Sequence, residues 1–442
     1  MKFLTILICK VIKKLGSLIG RGSSLPGKVA LKINPSILSQ IELPKHIIAV
    51  TGSNGKTSTV DMIADCLKAS GKTVVCNSEG SNQIEGVATT VLSNANCSGK
   101  LNADVLLIET DERFARHTFK YLKPTIFVIT NLFRDQLTRN GHPEHVFDVI
   151  SEAIYPEMTL LLNADDPLSA SFSKIHEKCV FYGIDELPIL DENKPGIYDD
   201  GAHCPCCLEP MEYSYRHYNH IGKYECTSCD WKRPVPTYTI SNVQNSSIEF
   251  AVNGKTVGSC NFISTSFYHL YNLIGAFAAC SMVGCTHESI LQAFSAYKFK
   301  TGRVLEFKLG LNNGTFLLAK HENSVAYDCT MQTAINSGED FTLLVIVDAI
   351  SRKYFTSETS WLWDINFEKL GISKIKKLVL AGTYVYDLAS RIAFTDIPKD
   401  MITLCETVDE ACVELNKDCI GHLYVLTCFS DKQKFLDRVE VL

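Results

Sequence analysis

The sequence predicts an α/β protein built on a doubly wound parallel sheet, with a four-cysteine zinc-ribbon insert and a smaller α/β domain at its C-terminal end. Three observations predict it: short apolar runs alternate with helical patterns, a glycine-rich loop joins the first run to a helix, and two cysteine pairs interrupt the pattern after residue 200. Strands that alternate with helices form parallel sheets covered on both faces.

The apolar runs of the main domain have strand length, at 46–50, 73–77, 105–110, 125–130 and 159–163. After the first run, Val60, Ile63 and Leu67 recur at helical spacing, and Gly71 suits the helix end. A helical pattern at 267–284 closes this domain, and new strand-like runs appear at 341–350, 377–382 and 423–429. We therefore predict an N-terminal segment at 1–42, a main domain at 43–299 with its insert at about 200–235, and a C-terminal domain at 300–442.

Composition narrows the class of protein. The net charge of −6 argues against a broad basic surface for nucleic acid, and no uncharged apolar run reaches the roughly 18 residues of a membrane span. Most of the 18 cysteines are scattered in apolar surroundings, which fits reduced thiols in the cytoplasm better than a disulfide framework.

The N-terminal segment has an apolar run at 3–9 followed by Lys10, Lys13 and Lys14. A secretory signal would place its charges first, so we predict a short cationic amphipathic helix instead. Two interpretations remain: the helix packs on its own domain, or it rests on the inner face of the cell membrane.

The most informative catalytic motif is Thr51-Gly52-Ser53-Asn54-Gly55-Lys56-Thr57-Ser58, between a strand and a helix. Glycines let backbone N–H groups converge on phosphate oxygens, a lysine adds positive charge, and a threonine hydroxyl can hold Mg²⁺. Glu109 ends a later strand, where a carboxylate can be a second Mg²⁺ ligand or a solvated acid. The loop predicts a nucleotide site.

The two cysteine pairs have the spacing C-x2-C-x18-C-x2-C if Cys204, Cys207, Cys226 and Cys229 are chosen. Four thiolates fill the tetrahedral shell of Zn²⁺ and leave no position for water, so such a zinc would be structural. Cys206 could replace Cys207, and a cluster of inert thiols is the alternative.

Several motifs together resemble the Mur ligases and, within them, the MurT family. TGSNGKTS, the strand end at Glu109, TN-x-x-x-D-Q, LNADDP and H-L-Y-N-L-x-x-A resemble the central ATPase domain, while the four-cysteine insert, SWLWD (360–364) and LYVLTCFSDKQKF (423–435) resemble MurT in particular. The resemblance extends from about residue 19 to the end of the chain.

This resemblance implies a ligase that uses ATP to activate the α-carboxylate of D-glutamate in the lipid II stem peptide. Ammonia from a GatD-like glutaminase subunit would then displace phosphate and leave D-isoglutamine, at the cytoplasmic face of the membrane. The implied Mg²⁺ ligands are Thr57 and Glu109, and Asn272 and Arg303 would contact the adenine and the nucleotide. The implied nucleotide contacts are Gly52, Asn54, Gly55, Lys56, Thr57, Ser58, Asn272 and Arg303.

The C-terminal domain departs from the family pattern. Relatives carry A-D-G before S-W-I-W-D, and its aspartate is thought to complete the catalytic group of the glutaminase. The segment 348–358 lacks that motif, and its acids are Asp348 and Glu358. We therefore expect poor use of glutamine unless one of them substitutes, and Asp348 is favoured because it follows an apolar strand. Two rival interpretations remain: another Mur-type ligase, or a non-catalytic MurT-like paralogue.

Overall fold

A computed structural model describes residues 1–18, 22–77, 81–187, 196–264, 266–298, 304–320, 322–349, 358–371 and 373–442. The chain divides into two compact units. The first unit comprises Met1–Phe133, His142–Pro195 and Asp199–Lys298, and the second comprises Arg134–Gly141, Gly196–Tyr198 and Phe299–Leu442.

The strands of the first unit are β1 (His46–Thr51), β2 (Val74–Cys76), β3 (Val105–Glu109), β4 (Ile126–Ile129), β5 (Thr159–Asn163), β6 (Cys179–Ile184), β7 (Met211–Tyr218), β8 (Ile221–Cys226), β9 (Tyr238–Gln244), β10 (Ser247–Val252) and β11 (Lys255–Asn261). Its helices are α1 (Lys2–Ser17), α2 (Leu25–Ile33), α3 (Lys56–Ala69), α4 (Ile84–Asn94), α5 (Ala115–Thr118), α7 (Pro143–Ser151), α8 (Pro167–Ala170), α9 (Phe267–Met282) and α10 (His287–Ala296), whereas α6 (Leu137–Asn140) belongs to the second unit. Short 3-10 helices span Ile37–Gln40 and Ser171–Lys174.

The main sheet of the first unit confirms the predicted α/β class. Its strand order within the described residues is β11-β10-β9-β6-β5-β4-β1-β3-β2, and the pairs from β9 to β2 are parallel. The residues of β1 are almost all buried, as expected for a strand covered on both faces. The carboxyl ends of β1 and β3 therefore lie side by side, next to the start of α3.

The antiparallel strands β9, β10 and β11 were not predicted. They form a meander that extends the parallel sheet at one edge. The turn between β10 and β11 uses Asn253 and Gly254, both with positive φ (50° and 73°), which is the Asn-Gly signature of a tight hairpin. That dipeptide was the available sequence signal for these strands.

The second unit contains β12 (Val304–Leu309), β13 (Asn312–Ala319), β14 (Phe341–Ile346), β15 (Ile375–Ala381), β16 (Ile402–Cys405), β17 (His422–Cys428) and β18 (Glu440–Val441). Its other helices are α11 (Ser324–Ile335), α12 (Glu368–Gly371), α13 (Val385–Ile392), α14 (Val408–Lys417) and α15 (Lys432–Leu436), with 3-10 helices at Ser360–Asp364 and Lys399–Met401. The strand order is β16-β15-β14-β17-β13-β12-β18, with two apolar core clusters built on alternate strand residues. This is the smaller α/β domain expected at the C-terminal end.

None of the described helices combines the length and the hydropathy that a bilayer-spanning segment needs.

Candidate nucleotide site and four-cysteine cluster

The loop between β1 and α3 is closely packed around two glycines. Gly52 and Gly55 have φ of +132° and +83°, which favour glycine. A Cβ on Gly52 would lie 2.1 Å from the Oγ1 of Thr130, and one on Gly55 would lie 2.1 Å from the Oδ1 of Asn272. The backbone can take this path only without side chains at both positions, and it ends at the N-terminus of α3, a favourable place for an anion.

Asn131 holds the loop in place. Its Oδ1 accepts a hydrogen bond from the Asn54 N–H (2.9 Å), and its backbone oxygen accepts one from the Ser53 N–H (2.9 Å). The Oγ1 of Thr130 donates to the Asn54 oxygen at 2.7 Å. The buried Nδ2 of Asn54 has no hydrogen-bond partner in the described part of the chain. The Thr-Asn pair after β4 therefore fixes the phosphate loop, a role that its residue types alone did not reveal.

Lys56 contacts a carboxylate that sequence reasoning missed. Its Nζ donates to the Gly52 backbone oxygen and to Glu112, and the two side chains are only 10% and 5% exposed. Glu112 thus neutralises the lysine when no phosphate is bound. The available signal was the acid-rich run after β3, where Glu109, Asp111 and Glu112 follow one another closely.

Thr57 and Glu109, the expected Mg²⁺ ligands, lie together. The Thr57 hydroxyl donates to the Glu109 Oε2 at 2.9 Å. Asn77 fixes the backbone of Glu109 through two hydrogen bonds, of 2.7 and 2.8 Å. A hydroxyl and a carboxylate side by side are the oxygen ligands that Mg²⁺ prefers.

The remaining predicted nucleotide contacts divide into two groups. Ser58 lies in the first turn of α3, half-buried, and Asn272 lies on α9, where its Oδ1 also accepts from Thr59 at 3.4 Å. Arg303 lies outside the described residues.

The four predicted cysteines form one cluster. Sγ–Sγ distances are 3.6 Å for Cys204–Cys229, 3.4 Å for Cys207–Cys226 and 3.5 Å for Cys207–Cys229. All four sulfurs lie within 4.8 Å of one another, close to the roughly 3.8 Å spacing set by tetrahedral Zn–S bonds of about 2.3 Å. The exposed Cys206 is not part of the cluster, so geometry selects Cys207.

Backbone amides also point at these sulfurs. The Sγ of Cys226 accepts from the N–H groups of Ser228 (3.3 Å) and Cys229 (3.4 Å), and the Sγ of Cys204 accepts from Cys206 (3.4 Å). Such bonds stabilise thiolates, which are the form that binds metal. The cluster sits at one end of the β7–β8 hairpin, at the end of β8 and before β7.

The LNADDP motif joins this hairpin to the main sheet. Asp166 caps α8 by accepting from Leu168 N (2.9 Å), and it also accepts from Leu132 N (2.8 Å). The Nε2 of His220 lies 3.4 Å from the Oδ1 of Asp166, the oxygen that caps α8. Through these contacts the completely buried Asp166 links the hairpin to the segment after β4.

Asp165 makes a second buried link. It accepts hydrogen bonds from Arg233 and from the Tyr271 hydroxyl (2.6 Å), and its backbone oxygen accepts from Gly222 N (2.8 Å). Tyr271 also contacts His217 Nδ1 at 2.6 Å, and burial lowers the pKa of His217 to about 4. This histidine is therefore neutral near pH 7 and is absent from the cysteine cluster.

Asp348 and Glu358 have different surroundings in the second unit. The Oδ1 of Asp348 accepts from the Thr383 N–H at 2.7 Å, and Oδ2 pairs with Lys434. Burial would raise the pKa of Asp348, but these hydrogen bonds outweigh it and hold the pKa below its ordinary value. Glu358 accepts from Ser360 N at 2.7 Å, at the start of the 3-10 helix Ser360–Asp364. Hydrogen bonding to the Ser360 side chain, and then to its backbone N–H, lowers the pKa of Glu358. Both acids are ionised near neutral pH.

The residues that follow β13 also form hydrogen bonds and an ion pair within the second unit. Lys320 pairs with Asp135, whose Oδ1 accepts from the Asn323 Nδ2 at 2.9 Å. Asn323 caps α11 by accepting from Ala326 N at 2.7 Å. Asp135 belongs to the second unit, so the boundary between the two units falls within the TN-x-x-x-D-Q motif along the chain.

Comparison with known proteins agrees with this geometry. The family model of the Mur ligase middle domain matches residues 50–202, and that of the MurT ligase C-terminal domain matches residues 320–431. A pseudomurein peptide ligase type C from Methanothermus fervidus has the same fold (TM-score 0.70, 20% identity, 93% of this chain and 84% of that one). A MurF ligase from Thermotoga maritima, solved in complex with ADP, also shares it (TM-score 0.61, 14% identity, 93% and 83% coverage). Fold and phosphate loop thus define a ligase of the Mur type.

Sequence relatives define the family within that class. The chain is 31% identical over 428 residues to the MurT subunit of the lipid II isoglutaminyl synthase (glutamine-hydrolyzing) of Streptococcus pneumoniae, covering 95% of this chain and 92% of the relative. Identity to the MurT subunit of Staphylococcus aureus is 27% over 408 residues, covering 89% and 88%. The chain belongs to the MurT family.

Proposed function

We propose that this chain is the synthetase subunit of a lipid II isoglutaminyl synthase. It would use ATP to amidate the α-carboxylate of D-glutamate in the lipid II stem peptide, as part of peptidoglycan synthesis. The observation that carries the proposal is the loop of Gly52 and Gly55, with Lys56 at the helix start and the Thr57–Glu109 pair beside it. The names of the MurT relatives support the substrate.

The proposed chemistry has two steps. A carboxylate is a poor acyl donor, so a carboxylate oxygen first attacks the γ-phosphorus of ATP and ADP leaves. The nitrogen of ammonia then forms a bond to the acyl carbon, the C–O bond to phosphate breaks, and the nitrogen loses a proton. The chain contributes position and charge neutralisation at both steps.

Each loop residue has a proposed role in holding ATP. The N–H groups at the start of α3 and the Lys56 ammonium would neutralise phosphate oxygens, so Lys56 must exchange Glu112 for phosphate. Thr57 and Glu109 would hold Mg²⁺, which supplies further neutralisation of phosphate charge. Asn272 is proposed to contact the adenine, and Arg303 to reach the nucleotide.

We further propose one structural zinc at Cys204, Cys207, Cys226 and Cys229. Sulfur spacing near that of a tetrahedral thiolate site and amides directed at the sulfurs support it. Four sulfur ligands leave no place for a reacting water, so the metal would contribute folding energy rather than chemistry.

Ammonia would come from a GatD-like glutaminase that binds the C-terminal domain, residues 300–442. Exposed aromatic side chains support a docking surface there: Trp363 is 45% exposed, and Phe394 is 73% exposed, with ring centroids 5.2 Å apart. Exposed aromatics are enriched where proteins meet. The acceptor is a membrane lipid, so we place the enzyme in the cytoplasm, peripheral to the inner membrane face.

The deciding experiment measures amidation of lipid II with ATP and ammonium, with ATP affinity measured separately by calorimetry. Lys56→Ala should abolish product and strip nucleotide affinity while circular dichroism stays unchanged, because it removes the cation of the loop. Lys68→Ala, at an exposed position of the same helix, is the matched control and should behave like wild type. Equal ATP affinity for Lys56→Ala and wild type would overturn the nucleotide site.

Wild-type behaviour separates the rival functions. Phosphate release that needs an amino acid rather than ammonium would indicate a different Mur-type ligase. ATP binding with no product from either nitrogen source would indicate a non-catalytic paralogue.

A further inference from the structure

One side of α1 is packed and the other is uncovered. Ile6 and Cys9 are buried in a core cluster with residues of α2 and α4, so the helix does pack on its own unit. The opposite side exposes large apolar side chains: Phe3 (54%), Leu4 (51%), Leu7 (44%), Val11 (49%), Leu15 (60%) and Leu18 (81%). Spacings of three and four residues place them in one stripe along the helix.

Positive charge accompanies the stripe. Lys10 and Lys14 each follow an exposed apolar residue, Leu7 and Val11, by three positions, so they lie along the same face. The first 41 residues contain seven Lys and Arg and no Asp or Glu, although the whole chain has a net charge of −6. The negative charge of the protein therefore lies entirely outside this segment.

We propose that the exposed stripe of α1 docks on an anionic lipid bilayer. The helix of 16 residues is about 24 Å long, shorter than the roughly 30 Å hydrocarbon core, so it would lie in the plane of the interface. Its apolar side chains would enter the boundary between headgroups and acyl chains, while the lysines face lipid phosphates. Residues 1–41 contain no Asp or Glu. An anionic surface repels negative charge and attracts positive charge, so this charge distribution favours an anionic bilayer as the occupant.

This docking deepens the proposed function, in which the acceptor is a membrane lipid, but its test needs no activity. The full-length chain is floated with vesicles of phosphatidylglycerol and phosphatidylcholine, or of phosphatidylcholine alone, at low and high salt. We expect flotation with the anionic vesicles, reduced by salt, and weak flotation with neutral ones. Two lysines near an anionic surface account for roughly a tenfold difference or more.

Two double variants separate the apolar and the charged contributions. Leu7→Gln with Val11→Gln should reduce partitioning by roughly tenfold or more on both vesicle types. Lys10→Gln with Lys14→Gln should do so on anionic vesicles only. The matched control is Leu311→Gln with Val413→Gln, which changes the same residue types at exposed positions (101% and 54%) of the second unit and should float like wild type.

Equal flotation of wild type and the Leu7/Val11 variant would overturn the proposal. A second result would also overturn it: analytical ultracentrifugation shows that wild type is a dimer and the Leu7/Val11 variant a monomer, and neither binds vesicles. The stripe would then contact a second copy of the chain. Lys56→Ala should still float, so loss of ATP binding and loss of docking are measured independently.

Discussion

At the level of single side chains, the pairing of Lys56 with Glu112 bears directly on the proposed binding of ATP. The two nearly buried charges neutralise each other, so ATP must displace a carboxylate to reach the ammonium. Breaking a buried pair by removing one partner destabilises a protein, because the remaining charge is left uncompensated. Glu112 should therefore stabilise the nucleotide-free protein and, at the same time, weaken the binding of ATP.

Glu112→Gln tests this competition. We expect the melting temperature without nucleotide to fall, for a loss on the order of 2 kcal/mol, and the ATP dissociation constant to decrease several-fold. Saturating ATP should restore most of the lost stability. Glu144→Gln, at an exposed position of α7, is the control and should change neither quantity. Weaker ATP binding by Glu112→Gln would instead assign Glu112 to the bound state.

Asp348 and Glu358 can be distinguished by the nitrogen source. If Asp348 serves the glutaminase, Asp348→Asn should lower glutamine-driven amidation by orders of magnitude and leave ammonium-driven amidation near wild type. Because Lys434 and Thr383 bind this carboxylate, Asp348→Asn could also reduce the amount of folded protein. The measured quantity is therefore the ratio of the glutamine-driven rate to the ammonium-driven rate, which does not depend on the amount of folded protein.

Glu358→Gln is the parallel variant, and we expect its ratio to match wild type. An unchanged ratio in both variants, with efficient use of glutamine by wild type, would mean that neither acid completes the glutaminase. Poor use of glutamine by wild type would fit the absence of A-D-G.

At the level of secondary structure, the proposed zinc would stabilise the fold of the β7–β8 hairpin. Cys226→Ser should remove the zinc, lower the yield of folded protein and lower the melting temperature, since structural zinc contributes folding energy. Cys206→Ser is a close control, because this exposed neighbour lies outside the cluster. Metal analysis should give one zinc for the control and wild type. A folded wild type with less than about half an equivalent would contradict the site.

Sequence patterns predicted the elements whose signals are local. The strands β1 to β5, the loop before α3 and the cysteine spacing all follow from neighbouring residues. The residues that contact the loop could not be predicted in this way, because they are distant from it in sequence. Asn131 is 77 positions from Asn54, and Glu112 is 56 positions from Lys56. Spacing also could not choose between Cys206 and Cys207, since only the direction of each side chain decides it.

For the molecule as a whole, the proposed glutaminase partner would bind the second unit. Trp363→Ala with Phe394→Ala should weaken binding of a GatD-like glutaminase by roughly tenfold or more, because exposed aromatics dominate interface energies. Leu311→Ala, at a fully exposed position of the same unit, should bind like wild type. Titration calorimetry gives both affinities. Identical affinities would place the interface elsewhere, provided that ammonium-driven activity shows both variants to be folded.

The contacts of Asp166 would connect the proposed zinc to the proposed nucleotide site. This carboxylate is 3.4 Å from His220 of the hairpin and accepts from Leu132 N, and Leu132 follows the asparagine that holds the phosphate loop. Loss of the proposed metal would make the β7–β8 hairpin less ordered and weaken the contact between His220 and Asp166. In a cell that lacks zinc, the protein would keep its loop sequence but would bind ATP more weakly. Under the proposed function, the rate of lipid II amidation would then depend on the zinc supply.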